Sequence, residues 1–441
     1  IVKKYKAQAV LFIAGFILMF AAVGLGLGTI LPAKQSTGLI LFDAFEFIKN
    51  TLSSRAAGLG LNIMAVAGFA RYMDHIGASK ALVHVTIKPL LYFKSPYLVM
   101  ALTWMLGMFL GLAINSASGL AMLLMVTAFP ILISLGVSRL SAVAVIATTL
   151  CLDWSPSDTG TLLAANSAGI DPVEYWVKYQ VPITACVMPL VAIAHFLTQR
   201  WMDKRDGHVV QPVELKPHVN PDGTVEKLPP KFYALLPIVP LALILIFSNI
   251  AIASIKMNII VAMMVGLAVG MIIEFIRLRD GKKVMNDIQV FFDGLGMQMA
   301  NVITLIVAGE TFAKGLQTIG TIDSIIQAAQ TSGFGAAGMI LVTTGIIIVC
   351  SIIMGSGNAP FFAFAAMIPG VAAKMGVAPV VMLLPMHFAA SSARAISPIT
   401  AVIVVASSMG NVSPFDVVKR TAIPMTVSLI TLIAANFVLF Y

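Results

Sequence analysis

Residues 355–360 read Gly-Ser-Gly-Asn-Ala-Pro, a polar turn between an apolar run that ends at Met354 and another that begins at Phe361. Two glycines and a proline oppose a continuous helix at this point. Within a membrane, broken backbone is tolerated only where it is buried in protein or lines a wet cavity, because lipid cannot satisfy the freed N–H and C=O groups. We therefore interpret this turn, the second tip, as the end of a re-entrant hairpin that points at a binding site.

A related segment lies about 240 residues earlier, where Asn115-Ser-Ala-Ser-Gly119, the first tip, interrupts another apolar run. The contexts of the two tips match at offsets between 239 and 242 residues, over pairs that include Ser116 with Ser356, Pro130 with Pro369, Ser155-Pro156 with Ser397-Pro398, and Asp171-Pro172 with Ser413-Pro414. An offset that drifts so little over so long a span indicates an internal duplication. We therefore expect each half of the chain to contain the same series of elements.

The composition excludes a soluble globular protein. Of the 441 residues, 59% are hydrophobic and 11% are charged, whereas soluble domains carry about 25% charged residues. The sequence predicts an all-α polytopic membrane protein in contact with the lipid bilayer. The net charge of +9 is dispersed between apolar spans, which indicates membrane topology rather than nucleic-acid binding. The three cysteines show no pairing or metal-ligand spacing, so we expect inert buried thiols at Cys151, Cys186 and Cys350.

Spans of about 20 apolar residues define the expected layout. The first repeat takes residues 1–200 and the second takes 232–441, with a charged, proline-rich linker at 201–231. Each repeat contains a re-entrant hairpin, at 97–136 and 336–375, and a broken transmembrane helix, at 138–166 and 378–408. We expect further spans near 8–31, 57–75, 182–200, 233–250, 257–276, 290–315 and 422–440, a mixed segment up to residue 56, and surface helices at 79–94 and 321–330.

The distribution of basic residues predicts the orientation of these spans. The layout places 20 of the 28 Lys and Arg residues on one face, including those of the linker, and leaves Arg394 inside the membrane. The positive-inside rule makes that face cytoplasmic and the C-terminus periplasmic. Seven residues fall on the opposite face: Lys34, Lys49, Arg55, Lys178, Lys256, Lys314 and Lys374. The two repeats then have inverted topology, an arrangement typical of secondary transporters. Because the chain begins at Ile1, we expect that residues precede it.

The two tips and the two broken helices supply the candidate substrate-binding residues: Asn115, Ser116, Ser118, Gly119, Ser155, Ser157, Thr159, Ser356, Gly357, Asn358, Ser391, Ser392, Arg394, Ser397 and Thr400. Broken helices aim the positive ends of half-helices and unpaired N–H groups into a cavity, which favours an anion. The same turns expose carbonyl groups that can hold a cation. The alternative is that Ser, Asn and Gly only allow close helix packing.

Ionisable residues inside the membrane are the next candidates. An isolated Arg at mid-membrane is costly without a partner, so Arg394 is expected either to bind a substrate carboxylate with its planar fork or to pair with Asp158. Asp153 and Asp158 could carry a coupling proton or cation, or could cap the broken helix. His387 and Glu310 are candidate proton relays or hydrogen-bonded packing residues. No cofactor or metal is expected apart from a coupling ion, H⁺ or Na⁺.

Four segments resemble the anaerobic C4-dicarboxylate carriers of the Dcu type C family, within the ion transporter superfamily: Gly355–Phe364, Arg394–Pro398, Ser413–Thr421 and Ala194–Arg200. The resemblance covers essentially the whole chain. It implies export of succinate, or exchange with fumarate or malate, across the bacterial inner membrane. It also implies a homodimer in which a transport domain moves as an elevator against a scaffold. The scaffold would take about 1–75 and 233–315, and the transport domain about 97–200 and 336–441.

The chain departs from the family pattern in two places. Family members usually have another helix before the span near residue 8, which would place the N-terminus outside the cell. The turn after Pro156 is expected to read Thr-Ser-Gly-Asp, whereas Ser157-Asp158-Thr159-Gly160 moves the acidic residue. The role of Asp158 therefore does not follow from the resemblance.

Three alternatives remain at this stage. One is a carrier of the same fold for another organic anion, such as citrate, another carboxylate or an amino acid. A second is an anion channel. The third, an intramembrane enzyme, has no metal-ligand or nucleophile–base spacing to support it. Coupling is open as well, because symmetric exchange, proton cotransport and sodium cotransport are all compatible with these residues.

Overall fold

The computed structural model describes residues 5–209, 229–248, 254–255, 257–320 and 335–441. These residues form twenty α-helices and no strand. In the first half the helices are α1 (Ala7–Gly24), α2 (Ile40–Arg55), α3 (Leu61–His75), α4 (Ala78–Ile87), α5 (Pro96–Leu110), α6 (Ala117–Ser134), α7 (Arg139–Ala147), α8 (Thr159–Ala168), α9 (Pro172–Tyr175) and α10 (Val181–Arg205). In the second half they are α11 (Val239–Ile246), α12 (Ile259–Leu278), α13 (Gly281–Gln298), α14 (Thr304–Thr318), α15 (Ala336–Met354), α16 (Asn358–Ala365), α17 (Ile368–Met375), α18 (Pro379–Arg394), α19 (Ala401–Gly410) and α20 (Pro414–Phe440).

Seven helical segments of the described chain are long and apolar enough to cross a membrane: α1, α6, α9 with α10, α12, α13 with α14, α15 and α20. Their length and composition confirm the prediction of an all-α, multi-pass membrane protein. Helix α10 continues into the predicted linker and ends at Arg205. Most of that linker, and the predicted surface helix at 321–330, lie outside the described residues.

The chain breaks its helices at both tips. Helix α5 ends at Leu110 and α6 begins at Ala117, while α15 ends at Met354 and α16 begins at Asn358. The two predicted broken helices are interrupted as well, between α7 and α8 and between α18 and α19. The helix breaks that the glycine, serine and proline residues predict are therefore present in both halves.

The mixed segment expected up to residue 56 contains a helix. Helix α2 is joined to α3 through the π-helical turn Ala56–Gly60, so the helix runs without interruption from Ile40 to His75. Its charged residues are satisfied locally, because Asp43 accepts hydrogen bonds from the Thr37 backbone N–H and Ser36 Oγ, and Lys49 pairs with Glu46. Helices α13 and α14 are joined in the same way through the π-helical turn Met299–Ile303.

The helices pack in two groups. In one, α1 and α2 pack on α14, and α3 packs on α12 and α13. In the other, α10 packs on α5 and α20, α6 packs on α7 and α19, and α18 packs on α8, α15 and α20. The groups touch where α14 packs on α16 and where α3 packs on α8. Helix α4 lies between the groups, because it packs on α3 of the first group and on α5 and α6 of the second. Both halves of the chain contribute helices to each group.

The three cysteines differ in their surroundings. Cys151 is buried, as expected, whereas Cys186 is exposed and Cys350 is partly exposed. The prediction of buried thiols is therefore wrong for Cys186 and Cys350, because these residues lie on the outer faces of α10 and α15. An apolar segment of a membrane protein faces lipid as well as protein, so an apolar context alone does not predict burial.

Candidate functional site

The two tips meet at one cavity of about 250 Å³, which we call the tip cavity. Its wall comes from residues 115–118 of the first tip, residues 355–358 of the second tip, and the second broken helix between Arg394 and Val402. Seven of the predicted site residues line it: Asn115, Ser118, Ser356, Gly357, Asn358, Arg394 and Thr400. Its volume lies near the lower end of the range for small-ligand pockets.

Three helices begin at the tip cavity. Their first residues are Ala117 of α6, Asn358 of α16 and Ala401 of α19, and all three line the cavity. The N-terminus of α6 is capped by Ser116, whose Oγ accepts a hydrogen bond from the Gly119 N–H. At the start of α16, Ser356 Oγ accepts from the Ala359 N–H at 3.4 Å, whereas no cap side chain accepts such a bond at the start of α19. The positive ends of three helix dipoles and unpaired N–H groups therefore converge on one small volume.

Two glycines shape the second tip. Gly355 has a φ of +62°, in the left-handed region that glycine adopts without a steric penalty. Gly357 lies against α18, where an added Cβ would be 2.5 Å from the carbonyl oxygen of Ala390. The Gly-Ser-Gly sequence thus allows the chain to reverse and lets the start of α16 pack directly on the backbone of α18.

Arg394 ends α18 at the wall of the tip cavity, with its side chain 13% exposed. Its Nη2 donates to the carbonyl oxygen of Leu150 at 3.1 Å and to Asp153 Oδ1 at 2.8 Å. Asp158, the partner considered from the sequence, is not the residue that pairs with it. Within the described residues, no protein acceptor is bonded to Nε or Nη1. One edge of the guanidinium is therefore committed to Asp153, and the other edge has donors left for a ligand.

Asp153, Asp158 and His387 form a second polar group beside Arg394, with one ligand atom from each within 4.8 Å of the others. Asp158 is the N-cap of α8, and its Oδ2 accepts from the Gly160 N–H at 2.7 Å and the Thr161 N–H at 3.2 Å. His387 Nε2 lies 3.5 Å from the same oxygen, and its ring stacks on Phe361. Two carboxylates and an imidazole in this arrangement could hold a cation or exchange a proton.

The cap of α8 and the cap of α19 differ in charge. These helices follow the breaks in the two halves of the chain, and Thr400 lies 242 residues after Asp158. Asp158 fills the start of α8 with its own carboxylate, whereas Thr400 Oγ1 donates to the carbonyl oxygen of Arg394 and leaves the α19 N–H groups without a side-chain acceptor. The first half thus carries an anion of its own at the position that stays open in the second half.

Four predicted residues lie at a neighbouring cavity of about 190 Å³: Asn115, Ser116, Ser157 and Thr159. Asn115 lines both cavities, and its Nδ2 donates to Ser157 Oγ at 2.9 Å. The opposite wall comes from α3 and α13, with Arg71 and Asp74 among its residues. The first tip therefore separates the tip cavity from a polar space beside the other packing group.

The remaining predicted residues make contacts within the protein. Ser391 Oγ donates to Asp153 Oδ2, and Ser392 Oγ donates to the Cys151 carbonyl oxygen. Ser155 Oγ donates to the Leu112 carbonyl oxygen. Ser397 is fully buried, and its Oγ has no hydrogen-bond partner among the described residues. Ser155, Ser391 and Ser392 hold the broken helices in place through these bonds. None of these serines lines the tip cavity, and neither do Ser397 and Gly119.

Two buried polar groups were not predicted from the sequence. Gln180 is fully buried, donates to Thr161 Oγ1 at 2.9 Å and lies 3.4 Å from His387 Nδ1. Arg420 is buried at the start of α20, where it pairs with Asp203 and, at 2.7 Å, with Asp206. Hydrogen bonding and charge from Arg205, followed by Arg420, hold the pKa of Asp206 below its ordinary value. No distinct signal marked Gln180, because the polar residues Glu174 and Lys178 lie close to it in the chain.

Long apolar helices, breaks in both halves of the chain and a polar cavity between the breaks define a multi-pass helical membrane protein. The family model of the C4-dicarboxylate anaerobic carriers, DcuC, matches residues 1–441. The chain belongs to this family.

The chain aligns with curated relatives over almost their whole length. The chain is 35% identical over 440 residues to the "Probable anaerobic C4-dicarboxylate transporter DcuC" of Vibrio cholerae, covering 100% of this chain and 94% of the relative. It is 36% identical over 437 residues to the "Anaerobic C4-dicarboxylate transporter DcuC" of Escherichia coli K12, covering 99% and 93%. These relatives are named as transporters, which excludes the enzyme considered from the sequence.

Two solved structures share the fold. The YdaH transporter of Alcanivorax borkumensis aligns with a TM-score of 0.65 at 15% identity, covering 98% of both chains. MtrF of Neisseria gonorrhoeae aligns with a TM-score of 0.63 at 16% identity, covering 98% of this chain and 94% of its own. At these identities the likeness concerns the fold alone.

Proposed function

We propose that this protein is a secondary active transporter of C4-dicarboxylates such as succinate, fumarate and malate, and that it binds them in the tip cavity. Family membership supports the substrate class. The observation that carries the site is the convergence of three helix N-termini and Arg394 on one cavity. Helix N-termini and a guanidinium are the groups that proteins use to bind carboxylates.

In our proposal each carboxylate of the substrate has its own set of donors. One carboxylate binds the open edge of Arg394 and the starts of α16 and α19, where the first N–H groups of α19 have no side-chain acceptor. The other binds the first tip, at the start of α6 near Asn115 and Ser118. A monocarboxylate would leave one of these sets unsatisfied, so a diacid is preferred.

The transport cycle is proposed to be alternating access by an elevator motion. The group formed by α1–α3 with α12–α14 would be the scaffold, and the group that carries both tips would move with the substrate. The proposal includes inverted repeats, a homodimer joined through the scaffold, residence in the bacterial inner membrane, a cytoplasmic linker and a periplasmic C-terminus. Its support is the repeated element order and the two packing groups.

A dianion has to be exchanged for another anion or accompanied by cations. We place the coupling proton or Na⁺, if one is used, at Asp153, Asp158 and His387, because these residues adjoin Arg394 and can bind a cation. Binding of a proton or Na⁺ to these three residues would add positive charge beside Arg394. Substrate binding and ion binding would then be linked through Asp153.

The test is uptake of labelled succinate into proteoliposomes that contain either unlabelled succinate or buffer, with wild type beside Arg394→Ala. We expect uptake by the wild type and loss in the variant. Dependence on internal succinate would indicate exchange, whereas uptake against buffer would indicate cation coupling. No wild-type uptake under either loading would overturn the substrate assignment, and competition by citrate and amino acids would then identify another anion. An active variant would exclude Arg394 from the site.

A further inference from the structure

A second cavity with cationic walls lies apart from both tips. It measures about 410 Å³ and is bounded by α2, α14 and α17, and we call it the lysine cavity. Its charged lining residues are Arg55, Glu310, Lys314 and Lys374. An adjoining cavity of the same volume shares Arg55, Glu310 and Lys314. These three residues therefore face open space on two sides.

One cation in the wall of the lysine cavity, Lys314, has no partner among the described residues. Arg55 Nε pairs with Glu310 Oε1 at 2.6 Å, and Arg55 Nη1 also donates to Asn166 Oδ1 at 2.9 Å. Lys314 is half-buried on α14, and its ammonium group has no ion-pair or hydrogen-bond partner among the described residues. Glu310 is already committed to Arg55. The positive charge of Lys314 is therefore left for an anion to neutralise.

The lysine cavity is connected to the tip cavity by a single short helix. Asn358, the first residue of α16, lines the tip cavity, while Ala366 and Met367, directly after its end, line the lysine cavity. Eight residues of α-helix span about 12 Å. The contact between α14 and α16 forms one boundary of the lysine cavity. The two helices cross so closely that a Cβ added at Gly309 would lie 2.7 Å from Ala363 Cα.

We propose that the lysine cavity is a second, weaker binding site for a small organic dianion, with Lys314 as its principal cation. The identity of the ligand rests on the proposed function, because a dicarboxylate carrier is the setting in which a dianion would be present here. A partly desolvated ammonium attracts a carboxylate over a longer range than a surface lysine does. The cavity would concentrate the substrate about one helix length from the tip cavity.

Occupancy is tested by protection of Lys314 from chemical labelling. The purified protein, in vesicles of neutral phosphatidylcholine, is treated with an amine-reactive ester, and modification of Lys314 is quantified by mass spectrometry. Lys49 is the control, because it is exposed on the neighbouring helix α2, pairs with Glu46 and does not line the lysine cavity. We expect millimolar succinate to lower labelling of Lys314 several-fold and to leave Lys49 unchanged, in the wild type and in Arg394→Ala. Equal labelling with and without succinate, or equal protection by chloride at the same ionic strength, would overturn the proposal.

A kinetic measurement separates this proposal from the proposed function. In proteoliposomes at low salt, Lys314→Gln is expected to raise the KM for succinate about three- to tenfold with an unchanged maximal rate, and Lys49→Gln is expected to match the wild type. High salt should remove the difference by screening. An unchanged KM in an active Lys314→Gln protein would overturn the second site while leaving the transport function intact. Absent wild-type uptake would overturn the transport function, and the labelling result would then decide the site independently. A KM effect seen only with anionic lipid would assign the cavity to lipid headgroups and overturn the proposal.

Discussion

Arg394 and Asp153 are 241 residues apart in the chain, yet Nη2 of the arginine lies 2.8 Å from Oδ1 of the aspartate. The pair joins the break in one half of the chain to the break in the other half, and Arg394 lines the tip cavity. Because the arginine is held along one edge only, the same residue can position the broken helices and still offer donors to a substrate. Structural and binding roles can therefore be separated by substitution.

Replacement of Arg394 by lysine should separate its structural role from its role in binding. Lys keeps a positive charge beside Asp153 but loses the planar fork. We expect the melting temperature in detergent to stay close to that of the wild type, while succinate uptake falls about 10- to 100-fold, which corresponds to the loss of roughly 1.5–3 kcal/mol of charged hydrogen bonding. Wild-type uptake by Arg394→Lys would show that charge alone suffices and would contradict bidentate binding.

Replacement of Thr400 by aspartate should close the anion site. The new carboxylate would cap α19 as Asp158 caps α8, where it accepts from two backbone N–H groups. An Asp cap contributes about 1 kcal/mol to helix stability, which should offset the lost hydrogen bond to the Arg394 carbonyl oxygen. We expect folded protein with uptake reduced at least about tenfold. Thr400→Ser is the matched control and should transport normally. Full activity of Thr400→Asp would exclude the α19 N-terminus from the site.

Replacement of Asp158 by asparagine should affect coupling without loss of the helix cap. Asn is about as good an N-cap as Asp, but the change removes the negative charge next to His387. We expect an imposed proton or sodium gradient to accelerate uptake by the wild type and not by the variant, at similar melting temperatures. Asp171→Asn, at the N-cap of α9, is the control. Wild-type uptake that neither gradient accelerates, or uptake by the variant that responds to a gradient as the wild type does, would contradict a coupling role.

Replacement of Arg420 by glutamine tests the buried ion pair between α10 and α20. The substitution leaves Asp203, which is fully buried, without its cation. Removal of one partner of a buried pair costs about 3–5 kcal/mol, so we expect poor yield and a lower melting temperature. Lys419→Gln is the adjacent control, because Lys419 is exposed, and its effect should stay within about 0.5 kcal/mol. Equal stability of the two variants would show that the pair contributes little.

Local signals in the sequence predicted the helix breaks, whereas contacts between residues far apart in the chain could not be predicted from it. The glycines of the second tip act on their own backbone, so Gly355 and Gly357 can be interpreted without a partner. The partner of Arg394 could not, because Asp158 was the acidic residue considered for it, whereas the crossing of the broken helices brings Leu150 and Asp153 to it.

The same limit applies near α2 and α10. Composition marks 40–55 as mixed in polarity, and the ion pair and hydrogen bonds that satisfy its charged residues in a helix are not visible there. Asp203 lies in a run of charged residues and was assigned to the linker, yet it is buried through contacts with Ser138, Ser141 and Arg420. An ionisable residue can be placed only when the helix opposite to it is known.

Side-chain contacts hold the two halves of the chain together. The ion pair of Arg420 with Asp203 connects the end of the first half to the beginning of α20, and Ser391, Ser392 and Arg394 bond the second half to the first at the breaks. The two halves therefore recognise each other through contacts that do not depend on the peptide that joins them. Two separate polypeptides, divided between residues 209 and 229 and produced together, should assemble into one working carrier.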